Sequence, residues 1–430
     1  MKLQQWYALR GAGYVRQRTG ALLDRYGIMP AKAMDRVMDN VAVLAEFGCA
    51  PTFPTPGRVV QRNPQFFRCL QEAGAEIAVH SFDHVDLSAY PPDKACQQLV
   101  RAAGVFDRHG IERHGFRCPY LGCTDGLLDC LPEGLFAYSS NRAIEWDVRP
   151  PDSDGGGNPT TSEVLQRVYK PLSARDTVCT PWTRSHLVEI PVILPDDLTL
   201  YDGLQLGCEG MAEAWNQVLQ HTYRRGELFV LMYHPELAVR CQPAFAMLLH
   251  DAAHLRPRVW LARLRDISYW WLEKASFSVD VSSTETGLHV SFTCSERGTI
   301  LVKGLEVDGS EPPWDGAYRQ LRVRTLQVPA EPRPFVGLPA NTPARTVNFL
   351  REQGYILDMT ETAPRCATYL DSAVLDRLAS EVELVNFIEA SAGPLIRYWR
   401  WPDGAKSSLS ITGDLDALTL LDYASRLFIR

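Results

Sequence analysis

Two histidines four residues apart, His80 and His84, follow directly on the apolar run Ala75-Glu76-Ile77-Ala78-Val79. At that spacing one turn of helix or a tight loop lets both imidazoles meet a single cation. Alone the pair is a weak signal and reads more often as core or capping histidines, but a strand exit is where α/β barrels keep their chemistry. Further on, Phe116-Arg117-Cys118-Pro119-Tyr120 places an arginine before a rigid proline. Such an arginine can orient a carboxylate by a charge-assisted hydrogen bond, or simply precede a turn at the surface. His234 ends the apolar run Leu228 to Tyr233, a position that suits a general acid as well as a hydrogen-bonded histidine. Last, Asp414 and Asp416 follow the alternating stretch Ser408 to Thr412. Of two carboxylates so placed, one can bind a metal while the other takes a proton from water; a polar turn explains the pair without chemistry. Cys118, Cys123 and Cys130 also cluster, but their spacing fits no zinc pattern.

The elements that must position these residues can be read from periodicity. Met34, Val37, Met38, Val41, Leu44 and Phe47 recur at helical spacing until Gly48, so a helix is expected over 31–47. Cys49 to Pro54 is short and β-like. Asn63-Pro64 opens a helix that Gly74 ends, and Asp93 to His109 forms another with Leu99, Ala103 and Phe106 on its inner stripe. Strands at 75–79 and 228–233 alternate with these helices, which predicts an α/β fold with parallel strands over the first 274 residues. Asp152 to Pro159 reads as a surface loop. From Phe277 the pattern changes to period two, in 277–281, 288–292 and 300–302, which predicts a small antiparallel β domain. The proline-rich stretch Val328 to Pro343 reads as a linker, followed by helices near 344–353 and 372–381 and a final strand at 408–412. The run Ile267-Ser268-Tyr269-Trp270-Trp271-Leu272 is expected to be the last helix of the first domain, packing on the β domain rather than touching a membrane.

The expected division is therefore 1–274, an α/β barrel; 275–330, a β-sandwich-like domain; 331–405, a small α/β segment; and 406–430, a strand and helix that complete the barrel. A chain of 430 residues is too long for one ordinary core. Hydrophobic residues at 46% and charged residues at 22% are those of a globular protein. A net charge of -7 without a long basic run argues against nucleic acid as a partner. No apolar run reaches the roughly eighteen residues of a transmembrane helix. Met1 to Trp6 lacks the apolar core of a signal peptide. The eleven cysteines are odd in number and scattered, so reduced thiols and a cytoplasmic location are expected. Oligomeric state is not readable from the sequence.

Taken together and in order, His80/His84, Arg117-Cys118-Pro119-Tyr120 and His234 resemble the motifs of the polysaccharide deacetylases, the NodB-homology group or carbohydrate esterase family 4. Ala50 to Pro54 resembles the family's second strand, and Glu189-Ile190-Pro191 with Pro195-Asp196-Asp197 resembles a stretch that some members carry before the last strand. The resemblance covers about residues 30–270 and the last thirty. It departs from the family at the Asp pair, which belongs after the first strand, near the N-terminus. In residues 1–30 Asp24 stands alone, and the pair occurs instead at Asp414 and Asp416. Trp401 to Gly404 leading into a strand, and Thr419 to Phe428 as a helix, resemble the beginning of such a domain. The resemblance thus implies a distorted (β/α) barrel that is circularly permuted; a domain that lost its Asp pair, followed by an unrelated strand, is the competing reading.

It also implies a mechanism. His80, His84 and Asp416 would hold a divalent metal, Zn²⁺ foremost, with Co²⁺, Ni²⁺ or Fe²⁺ also suited to such a site. The metal would bring the pKa of bound water toward about 7 and polarise an acetyl carbonyl. Asp414 would be the base, oriented by Arg117; the Tyr120 backbone N–H would hold the oxyanion; His234 would protonate the leaving amine. The substrate would be a small molecule or glycan bearing an N-acetyl group. Two alternatives stay open: removal of N-formyl or another acyl group from a different small amide, and a non-catalytic carbohydrate-binding relative. Tyr120, Trp146 and Trp182 are candidates for stacking on sugar faces. The β domain over 277–328 is expected to brace the permuted connection rather than bind glycan.

Overall fold

A computed structural model of the chain describes residues 30–148, 169–235, 238–306, 310–361, 365–419 and 421–423. The loop expected at 152–159 and most of the helix expected at 419–428 lie outside them.

The largest sheet is parallel over most of its width and strongly curled. The strand Ser407–Gly413 sits between Leu228–Tyr233 and Thr52–Thr55. The ladder then runs through Glu76–Val79, Gly115–Phe116 and Tyr138–Ser139. Tyr138–Ser139 pairs with Leu187–Glu189, and the next strand, Ala143–Glu145, pairs with Val192–Leu194. Ile193 in turn pairs with Leu231, so the two arms of the sheet meet through this bent pair. The end of the chain is therefore built into the middle of the N-terminal sheet.

The strands read as continuous apolar runs because both faces are covered. Successive side chains alternate between two cores. Phe53, Ile77, Val79, Phe229, Leu231, Leu409 and Ile411 join the helices outside the curl. Ala78, Val188, Leu228 and Val230 face the other way and join a core shared with the C-terminal sheets. The helices lie near their expected bounds: Pro30–Glu46, Pro64–Glu72 and Pro92–Arg108. A further helix, Gly57–Arg62, is too short for periodicity to reveal. Leu264–Lys274 buries Trp270 and Trp271 and leaves Tyr269 and Leu272 exposed.

Beyond residue 277 there are three smaller sheets among the described residues. Ser278–Ser283, Leu288–Thr293 and Thr325–Val328 form an antiparallel one. A second joins Ile300–Lys303 to Tyr318–Leu321 and, from much later in the chain, Leu395–Tyr398. The third is parallel, with Arg333–Leu338 at its centre between Leu357–Met359 and Cys366–Tyr369. The stretch 328–343, expected as a linker, thus holds a central strand. Pro332 and Pro334 hid it. Pro334 lacks a donor, and the register shifts between Arg333 and Val336 where it falls. The helices Ala344–Glu352, Ser372–Arg377 and Glu381–Glu389 complete this part.

The passage from these sheets back into the curled one is held by aromatic side chains. Trp401 lies between Trp260 and Trp271, with ring centroids 6.4 and 5.9 Å away. Its indole N–H donates to the Gly226 carbonyl at 2.9 Å, and Trp270 donates to the Arg400 carbonyl at 2.7 Å. Large rings that also satisfy their N–H bury much area at little polar cost. This packing fixes the entry of the strand Ser407–Gly413.

Candidate metal and acid–base site

The chemistry-bearing residues all leave the C-terminal ends of parallel strands, where such sheets open a crevice. His80 follows Glu76–Val79, Arg117 follows Gly115–Phe116, His234 follows Leu228–Tyr233 and Asp414 follows Ser407–Gly413. In the pairing of the last two strands, Tyr233 lies opposite Gly413. One residue further on, His234 and Asp414 emerge side by side.

The His80 ring is buried, and its Nδ1 lies 2.8 Å from the Arg117 carbonyl oxygen. A carbonyl only accepts, so Nδ1 carries the proton and Nε2 presents a lone pair. No hydrogen bond reaches that buried Nε2. Facing it is Asp416 Oδ1 at 3.4 Å, and the same oxygen lies 3.1 Å from His84 Nε2. Two imidazoles thus converge on one buried carboxylate oxygen. A lone pair facing a carboxylate at this distance, away from water, calls for a positive charge between them: a second proton on the ring or a cation. Two imidazole nitrogens and one carboxylate oxygen are a donor set that suits a divalent ion of the zinc type.

Asp414 is held differently. Its Oδ1 accepts from Arg117 Nη1 at 2.6 Å, and its Oδ2 lies 3.9 Å from His80 Nε2. Arg117 is fully buried. Nη1 also donates to Thr412 Oγ1 at 3.0 Å, Nη2 to Ser140 Oγ at 3.1 Å and Nε to the Ser140 carbonyl at 3.2 Å. The guanidinium is thereby fixed as a fork behind the carboxylate. The backbone on either side of Ser140 is held by buried Glu189, which accepts from the Ser139 hydroxyl and from the backbone N–H of Asn141 and Arg142 at 2.7 and 2.8 Å. Asn141 Oδ1 accepts from the Cys118 N–H at 2.6 Å, tying the Arg117–Tyr120 loop to the same frame.

Tyr120 lies at the rim, 40% exposed, with left-handed backbone (φ 58°, ψ 18°). Its ring meets the His84 ring edge-on, centroids 5.0 Å apart.

His234 is gripped by Asp197, which accepts from its backbone N–H at 2.8 Å and lies 2.9 Å from its Nδ1. The carboxylate accepts from Nδ1–H and so fixes that tautomer. Next to it, Asp196 accepts from the Thr199 N–H at 2.8 Å and from the Thr199 hydroxyl. Burial, reinforced by the Asp197 charge, raises the Asp196 carboxyl to about 6. Tyr169 donates to Asp196 Oδ2 at 3.3 Å. Burial, then the Asp196, Asp414 and Asp197 charges, raise its phenol well above the usual range, so it sits between the two groups of acids.

Asp196, Asp197 and His234 are also close enough to share an ion, as are His80, His84 and Asp416. The two groups differ in what their atoms already do. Both Asp197 oxygens and Oδ1 of Asp196 are taken up by N–H and O–H donors, whereas the buried His80 Nε2 has no hydrogen bond. His80, His84 and Asp416 are therefore the better fit for a metal. Neither group includes a cysteine, and burial holds the Cys118 thiol well above its usual range.

Residues 30–132 match the family model for polysaccharide deacetylases. That stretch is thus similar to a polysaccharide deacetylase domain. The matched stretch contains His80, His84, Arg117 and Tyr120. Solved structures similar to this chain include one from Mycobacterium smegmatis assigned as a polysaccharide deacetylase, at 21% identity over 57% of this chain and 78% of that one, with a TM-score of 0.42. The peptidoglycan deacetylase PdaC from Bacillus subtilis is similar at 13% identity over 58% and 89%, TM-score 0.33. A family 4 carbohydrate esterase from Streptomyces lividans in complex with acetate is similar at 16% identity over 49% and 81%, TM-score 0.28.

Around the candidate site, the structure brings together His80, His84, Arg117, Tyr120, Asp414 and Asp416, with His234 beside Asp414. It does not bring in two of the proposed stacking residues. Trp146 stacks on His221, centroids 5.1 Å apart, and Trp182 lines a cavity against the C-terminal sheets. Sequence reasoning assigned no role to Asp197, Tyr169, Glu189 or Thr412. For Asp197 a signal exists, since two adjacent acids follow the apolar Val192–Leu194. Tyr169 carries none. Among the described residues no helix is long and apolar enough to cross a membrane.

Proposed function

We propose that this chain is a metal-dependent hydrolase that removes the N-acetyl group from an amino sugar or glycoconjugate. One observation carries the reading: an oxygen of Asp416, more than 330 residues away in sequence, lies 3.1 and 3.4 Å from the Nε2 atoms of His84 and His80, beside an Asp414 held by Arg117. His80, His84 and Asp416 would hold the cation. When bound there, a divalent ion supplies Lewis-acid activation of water and of the acyl carbonyl, with zinc suited and cobalt, nickel and iron also compatible. Asp414 accepts the proton of the attacking water, its free rotation removed by the Arg117 fork. The Tyr120 N–H, on a left-handed turn at the rim, meets the developing oxyanion. His234 donates a proton to the departing amine, and Asp197 stabilises its imidazolium form.

The placement of Ser407–Gly413 inside the N-terminal sheet supports a circularly permuted barrel, in which 406–430 supplies the missing first strand to 1–274. The remaining parts, 275–330 and 331–405, are read as support for this connection. Pairing of Ile300–Lys303 with Leu395–Tyr398 favours their acting together. The odd number and scatter of the eleven cysteines favour a reducing compartment such as the cytosol.

The test is hydrolysis of N-acetylglucosamine oligomers by zinc-loaded protein. Acetate release that disappears in Asp414→Asn supports the reading. Release unchanged in that variant, or no turnover of any acylated amino sugar by metal-loaded wild type, rejects it. Running N-formylated substrates in parallel decides which acyl group is removed.

A further inference from the structure

A cavity of about 760 Å³ lies between the curled sheet and the C-terminal sheets, apart from the site above. It falls in the size range of small-molecule pockets. Among its buried polar groups is Lys274, only 5% exposed. The ammonium donates to the Glu352 carbonyl at 2.8 Å. Around it stand the rings of Trp271 and Tyr398, with centroids 4.9 and 5.7 Å away. An ammonium has three donors, and here one acceptor and two aromatic faces surround them. Burial pulls the group down to about 7, as expected of a cation short of negative partners.

Gln353, in the same wall, donates Nε2 to Thr180 Oγ1 at 3.1 Å, while its buried Oε1 has no hydrogen-bond partner. A buried amide oxygen left so is costly unless a ligand donates to it. The two carboxylates of the lining are already engaged by backbone. Glu352 accepts from the Thr183 N–H at 2.8 Å and Glu381 from the Val178 N–H at 3.1 Å. Against these two acids the lining sets Lys274, Arg142, Arg345 and Arg351. The balance, four cations less two carboxylates, is positive. Trp182 adds a half-buried indole to the wall.

We infer that this cavity is a second binding site, for a sugar unit carrying a carboxylate or phosphate. The anion meets Lys274 and Arg351, a hydroxyl donates to Gln353 Oε1, and the Trp182 indole packs against the pyranose. The inference is independent of the hydrolytic reading. It offers a way to hold a charged glycan on the protein away from the reacting bond.

The experiment is calorimetric titration of the full chain with D-glucuronate, D-glucose 6-phosphate and D-glucose. Saturable binding of either anionic sugar, with glucose much weaker, is expected. Lys274→Met and Arg351→Ala should each weaken binding at least about tenfold, the loss of one charge-assisted contact. Arg351 is exposed, so its variant keeps the fold if Lys274→Met does not. Asp416→Ala, in the other cluster, should bind as wild type does. Preference for the uronate or for the phosphate identifies the anion. No binding of either anionic sugar, equal binding of glucose, or affinity unchanged in both variants would overturn the inference.

Discussion

Replacing Arg117 by methionine tests whether the two ends of the chain are joined by a desolvated ion pair. Arg117 and Asp414 are 297 residues apart and meet at 2.6 Å, with side-chain exposures of 0% and 8%. Methionine roughly keeps the aliphatic volume and removes the charge. Asp414 would then be buried without its partner, and Thr412 Oγ1 and both Ser140 oxygens would lose a donor. Breaking a buried pair by removing one partner costs about 3–5 kcal/mol, most of it the unpaired charge rather than the lost attraction. The matching variant Asp414→Asn in the Arg117→Met background removes that charge, so the double variant should recover more than half of the loss. Urea unfolding followed by circular dichroism, on wild type, both single variants and the double, gives the cycle directly. A cost below about 1 kcal/mol for Arg117→Met, the range of exposed pairs, would refute the argument. So would a double variant no more stable than Arg117→Met, because the unpaired Asp414 charge would then not be the source of the loss.

Asp416→Ala, incubated with zinc and desalted beside wild type, should retain far less metal by elemental analysis; equal retention would remove the last strand from the metal site. Asp197→Asn should lower kcat by about a hundredfold with little change in KM, since a positioned general acid contributes about that much or more; steady-state kinetics would show it. Asp196 gives a pH signature. Its carboxyl is raised from 3.8 to about 6 in the folded chain, so the unfolded chain releases that proton first. The stability associated with it is fully present below about pH 4 and is lost as pH rises through 6, by up to about 3 kcal/mol. Asp196→Asn lacks that loss, so its stability relative to wild type should improve between pH 4 and 7 in denaturant titrations. Gly226 caps the helix Cys208–Arg225 with φ 66°, and an added Cβ would lie 2.4 Å from Trp399 Cζ2. Gly226→Ala should cost about 2–4 kcal/mol from backbone strain and overpacking together, read as a lowered denaturation midpoint.

Much of this molecule is written locally. The helices at 30–46 and 92–108 and the strands at 76–79, 228–233 and 407–413 follow from the spacing of apolar residues, because each buries a stripe or both faces against a neighbour. The candidate site residues were legible for the same reason: His80, Arg117, His234 and Asp414 each stand where an apolar strand ends. Periodicity failed where short-range signals mislead. Pro332 and Pro334 mark Arg333–Leu338 as a linker, yet flanking strands on both sides make it the centre of a sheet. Trp182 carries the composition of a sugar-stacking residue but lies in a different cavity, since composition says nothing about which wall a side chain joins.

What tertiary structure alone decided is the meeting of distant partners. The sequence by itself determined the residue types and the strand exits on which they stand. That Asp416 lies beside His80 and His84 was implied by the family resemblance and not by spacing; their approach is set by the register of Ser407–Gly413 between Leu228–Tyr233 and Thr52–Thr55 and by Trp401 docking on Gly226. The sequence could not show Asp197 holding His234, or Arg117 tied to Thr412 and Ser140 as well as to Asp414. Hydrogen bonds of this kind depend on distances of a few tenths of an ångström, and only the packed sheet fixes them.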